Sequence, residues 1–215
     1  MSSKLNIDEL NIITYTDAEV ENWLNEYFSP MELPEEQIGK RKDAARDFRD
    51  VLLFILLAIK VADEIGEVDW DRMRLQLELE FGSVARQYAR DDDYMKNFVR
   101  KAADDFIEVT RERTEKDGMN SRWTSDERAL PDAANYSNMT VGYEELQQAI
   151  DDGYTKKMWV SQRDGRVRWT HRHVDGQTVP IKAYFTVGNS RLLYPTDPDG
   201  EPEEIIGCRC HMVFK

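Results

Sequence analysis

The chain has 215 residues, enough for one large domain or for a helical domain followed by a smaller one. Apolar residues make up 40% and charged residues 33%, which supplies a core and excludes a wholly disordered chain. A formal net charge of −13 excludes general DNA binding and confines any nucleic-acid contact to a local basic patch.

The opening stretch, MSSKLNIDEL, lacks the basic-then-apolar order of a secretory signal. Asp17 is placed to cap a helix running through Phe28, with Val20, Trp23, Leu24 and Tyr27 at helical spacing. Two prolines between 29 and 34 end it. A long helix is predicted over 37–65, where Phe48, Val51, Leu52, Ile55, Leu56 and Ile59 form an apolar face. Its apolar run, VLLFILLAI, is far shorter than the roughly 20 residues needed to span a bilayer, so a buried helix and no membrane association are expected. Further helices are predicted over 69–89 and 93–113, the latter with Phe98, Ala102, Phe106 and Val109 on one face. Asp91, Asp92 and Asp93 read as a helix N-terminal turn rather than a metal site.

From 117 to 139 the periodicity fades into Gly, Asn, Ser and Pro, which predicts a linker or arm, with Trp123 anchoring it to its own domain. A short helix follows over 143–150. Strand-like runs then occupy 158–162, 167–173, 182–187, 191–194 and 208–214, separated by turn signals such as Asp164-Gly165, Asp175-Gly176 and Gly188-Asn189. The expectation is an α+β protein: a helical docking region over 1–116, the linker over 117–139, and a small mixed α/β C-terminal domain over 140–215.

The last third carries the chemistry. Two cysteines, Cys208 and Cys210, cannot build a disulfide framework and point to a reduced compartment or a metal. In a strand, residues two apart share a face, so His171 and His173 would point together, as would Cys208 and Cys210. Two nitrogens and two sulfurs from neighbouring strands suit a tetrahedral zinc; buried, reduced thiols acting as small apolar residues are the plainer reading. His171 with Arg168 and Asp175 also fits a general acid/base set of a small nuclease, against the simpler reading of a salt bridge and a capped turn. Lys156, Lys157, Arg163, Arg166, Arg168 and Arg172, interleaved with Trp159 and Trp169, suit contact with nucleic-acid phosphates. Trp159, Val167, Trp169, Val179, Phe185 and Met212 are the expected core of this domain.

In order along the chain stand Lys157, Trp159, Asp164, Arg168, His171, Asp175-Gly176, Pro195, Pro202, Glu203, Glu204 and Cys208-Arg209-Cys210. This ordered set resembles the C-terminal domain of the phage Mu protein F-like head-morphogenesis, or minor capsid, family. Gly207 stands where family members commonly carry Asn, and PDAANYSNM replaces a segment that often carries an acid on a helix. The resemblance implies a non-enzymatic virion protein present in a few copies. Its partners would be the portal protein and other head proteins, with local contact to packaged DNA and a role in head assembly, genome packaging or ejection. The competing expectation is a small phage-derived nuclease or toxin domain using His171 and Arg168.

Overall fold

The computed structural model describes residues 12–215; residues 1–11, read above as lacking a secretory signal, lie outside the described residues. The protein is α+β: a helical bundle followed by a small region of antiparallel strands and short helices. Helix α1, Asp17–Phe28, starts in a reciprocal capping box between Thr16 and Glu19, not at Asp17. Helix α2, Glu35–Ile65, buries Ala44, Phe48, Leu52, Ile55, Leu56 and Ile59 along one stripe, as the apolar spacing predicts. Helix α3, Trp70–Tyr88, and helix α4, Asp93–Asp117, are capped by Asp69 and Asp92, whose side chains accept the Arg72 and Met95 amides. The acidic run at 91–93 is therefore a helix start.

The expected linker is instead the centre of the molecule. Residues 126–151 form one helix, α5 (Asp126–Asp151), packed along α2 and running straight through the expected boundary at 139/140. Its buried residues lie on several faces, among them Ala133, Ala134, Ser137, Asn138, Val141 and Gly142. A helix enclosed on several sides has no one-sided stripe, so its periodicity vanishes from the sequence. Some of its small polar residues are satisfied from outside: Ser137 Oγ donates to the Arg41 carbonyl over 2.6 Å. Two forked ion pairs fasten α5 to α2. Arg41 donates to both oxygens of Glu145 at 2.6 Å, and Arg49 to both oxygens of buried Asp126 at 2.8 and 2.5 Å.

Trp123 sits just before α5, donates to Asp117 over 3.0 Å, and stacks under Arg113, Arg122 and Arg128, so it is anchored within its own chain. The aromatic cluster at the end of α1 also turns inward. Leu24, Phe28 and Met31 pack with Leu130 and Ala134 of α5, so this face is spent on the protein's own bundle.

Five short strands follow: β1 Lys156–Val160, β2 Thr178–Pro180, β3 Phe185–Val187, β4 Ser190–Leu192 and β5 His211–Phe214. They make an antiparallel sheet in the order β2-β1-β5 and a separate β3-β4 hairpin. Trp159 lies opposite Met212, and Val160 opposite His211. The expected strand over 167–173 is a correction: this segment contains a short helix, α6 (Trp169–Val174). Consequently β5 pairs with β1 and not with the segment carrying His171. Trp159, Phe185 and Met212 are buried, whereas Val167 and Val179 are half-buried and Trp169 is 71% exposed.

Candidate metal centre

Helix α6 presents His171 and Val174 inward and leaves Trp169, Arg172 and His173 in solvent. At about 100° per residue, positions two apart on a helix face nearly opposite ways, and this splits the two histidines. His173 is therefore a correction to the expected ligand set. It packs against Trp169, ring centroids 4.0 Å apart, and its Nδ1 is 2.9 Å from the Trp169 carbonyl.

The remaining three residues converge. His171 Nδ1 lies 3.4 Å from Cys210 Sγ and 3.6 Å from Cys208 Sγ, and the three donor atoms all fall within 4.8 Å of one another. None of the three residues is more than 6% exposed. Cys208 and Cys210 come from the extended segment that leads into β5. A left-handed turn at Gly207, φ 66°, sets their direction. Helix α5 holds that turn through two side chains three residues apart. Asn135 accepts the Gly207 amide at 3.0 Å, and Asn138 donates to the Cys208 carbonyl at 3.3 Å.

The opposite edge of the imidazole is equally fixed. His171 Nε2 lies 3.0 Å from Glu204 Oε2 on α7 (Pro202–Ile205), and that oxygen also accepts from Thr170 Oγ1 at 2.7 Å. Glu204 Oε1 lies against Gly188, φ 57°, where a Cβ would collide with it. The Trp159 ring meets His171 edge-on at 5.5 Å. Two buried donors of this neighbourhood, the Trp159 indole N–H and the Tyr27 hydroxyl, have no partner at ordinary hydrogen-bond distance. Burial first, and then charge on Cys208, raises the Tyr27 pKa. The Trp159 N–H lowers that of Cys210 as a weak N–H···S contact.

The two thiols are driven apart. Bonding to Cys210, opposed by burial and reinforced by His171, holds Cys208 well below the usual thiol range. Cys210 rises through the same bond to Cys208 and through burial. For His171 burial works downward, but Cys208 outweighs it and the imidazole pKa rises. The bond between the two sulfurs thus lowers one thiol and raises the other.

No protein family, no curated protein and no solved structure matches this chain. The site is therefore read from its own atoms. It offers one imidazole nitrogen and two sulfurs to a soft divalent ion. Both ring nitrogens of His171 face protein groups, so neither is presented to an external substrate.

The basic residues divide. Lys157 is a correction: it is fully buried, donates to the Leu193 carbonyl at 2.5 Å and lies over the Phe185 ring, so it is no phosphate contact. Alternation along β1 turned its side chain inward beside Trp159. Lys156, Arg163, Arg166 and Arg172 are exposed, with Arg163 paired to Asp175 at 2.8 Å. Arg168 is half-buried and donates to the Ile206 carbonyl. Asp175, expected as an acid/base partner of His171, instead accepts the Ser161 amide at 2.8 Å and the Arg163 guanidinium. Glu204, Asn135 and Asn138 are the residues of this site that sequence reasoning missed. Only Glu204 carried a signal, as part of the ordered set ending in Cys-Arg-Cys.

Proposed function

We propose that this chain is a bacteriophage minor capsid protein of the Mu F-like head-morphogenesis type, acting at the portal vertex in head assembly or DNA delivery. One observation carries the reading. Five of the residues on which the resemblance rests, scattered over more than fifty positions, meet around one buried centre, and others lie at its edge. Trp159 packs on His171, and His171 meets Glu204, Cys208 and Cys210. Arg168 reaches the turn before Cys208, and Arg209 pairs with Asp164 at 2.7 Å. A pattern of this kind is what a shared domain core leaves in a sequence, so the geometry supports the resemblance.

In this reading the helical region docks on the portal protein or another head protein, and the exposed arginines beside Trp169 contact packaged DNA. The enclosed His171 supports a structural role over acid/base chemistry. The test is quantitative mass spectrometry of purified virions of the phage that encodes the chain. A few copies per particle are expected; absence from the particles contradicts the proposal.

A further inference from the structure

We propose that His171 Nδ1, Cys208 Sγ and Cys210 Sγ bind one zinc ion, with Glu204 as the carboxylate that orients the imidazole and a solvent molecule in the fourth position. This does not rest on the virion reading.

Three observations converge. The first is spacing. Zinc bonds of about 2.3 Å to sulfur and 2.0–2.1 Å to nitrogen, at tetrahedral angles, place nitrogen and sulfur about 3.6 Å apart. The observed separations are 3.4 and 3.6 Å. Both nitrogen–sulfur separations are already at ligand spacing, and all three donors lie within 4.8 Å of one another.

The second is the far side of the ring. A zinc-bound imidazole characteristically donates its other N–H to a carboxylate, which fixes the tautomer and raises the basicity of the ligating nitrogen. Glu204 stands at that position, 3.0 Å from Nε2. It is itself held by Thr170 and enclosed by Gly188. With Nε2 carrying the proton, the Nδ1 lone pair points at the two sulfurs. Glu204 is excluded as a ligand because it occupies the opposite nitrogen.

The third is what surrounds the donors. Two sulfurs and one imidazole favour zinc over the oxygen-seeking magnesium or calcium. His173, which would complete a protein-only set, faces solvent. Three protein donors leave one coordination position to solvent. The Trp159 N–H and Tyr27 O–H, neither with a partner at ordinary hydrogen-bond distance, are donors buried in the same neighbourhood. The ion would join α6 to the segment before β5 and so fix the end of the chain against the bundle.

The test uses the reduced full-length protein, titrated with zinc against a chromophoric chelator and, separately, with cobalt(II). One zinc per chain is expected, and cobalt should give a thiolate charge-transfer band with visible bands of tetrahedral intensity. His173→Ala should leave both unchanged. Glu204→Gln should weaken zinc binding roughly 10–100-fold while the circular dichroism of the fold is kept. Cys208→Ser and Cys210→Ser should each reduce the cobalt charge-transfer intensity. A folded wild-type protein that gives no such band overturns the proposal whatever the variants do. Zinc affinity unchanged in both folded Cys→Ser variants also overturns it.

Discussion

The imidazole Nε2 of His171 lies 3.0 Å from the carboxylate of Glu204, two buried residues brought together from α6 and α7. The carboxylate binds Thr170 with the same oxygen, so its loss strands the buried imidazole and the half-buried Thr170 hydroxyl at once. Leaving buried donors unsatisfied costs about 1–3 kcal/mol. Glu204→Ala should therefore lower the metal-free stability by that amount in urea unfolding, and Glu204→Gln, which keeps an acceptor, by less. Equal losses in the two variants would mean that the hydrogen bonds contribute nothing.

The α2–α5 clamp predicts a larger effect. Asp126 is fully buried and its two oxygens are held by Arg49. Removing one partner of a buried pair costs about 3–5 kcal/mol, because the other charge remains without compensation. Arg49→Ala should fall in that range, and the double variant Arg49→Met with Asp126→Leu should recover most of it. A double variant as unstable as the single one would show that packing, not the stranded charge, is lost.

Lys157 predicts a pH dependence. Burial, opposed by the charge of Asp197, brings its pKa down from 10.5 to about 8. Between those two values the unfolded chain binds the proton more tightly than the folded one. From this group, stability therefore rises as pH increases from about 8 toward 10.5. Lys157→Met removes the rise and should leave the protein at least as stable at pH 7, where the wild type buries a charged amine. Melting curves across this range check it; a variant that keeps the wild-type slope contradicts the assignment.

The proposed DNA surface predicts a salt effect. Arg166 and Arg172 are exposed on either side of Trp169. If both contact phosphates, Arg166→Glu with Arg172→Glu should weaken duplex binding at low salt. It should also reduce the slope of log affinity against log salt by about 0.9 per lost contact. Fluorescence anisotropy across a salt series measures this, and an unchanged slope removes these residues from the interface.

Much of the bundle was legible because its helices are amphipathic and conventionally capped. The Phe48–Ile59 stripe and the acidic turn ending in the Asp92 cap are read directly from spacing. Helix α5 was not, since burial on several sides erases the stripe and its Asn and Ser residues imitate a loop until their partners are known. Helix α6 was misread for a related reason. Six residues are too few to establish a period, and His-x-His fits strand alternation equally well. At the site, the structure brings His171, Cys208 and Cys210 together, though not by the geometry expected from the sequence. They meet through α6 and the turn at Gly207 rather than across paired strands. Asn135 and Asn138 were invisible because their partners lie about seventy residues away.

The proposed zinc site at His171, Cys208 and Cys210 is tested most directly by X-ray absorption at the zinc edge on the purified, zinc-loaded chain. The account predicts a four-coordinate ion with two sulfur neighbours at about 2.3 Å and nitrogen and oxygen neighbours near 2.0–2.1 Å. A first shell containing only nitrogen and oxygen, or zinc lost on gel filtration, would contradict it.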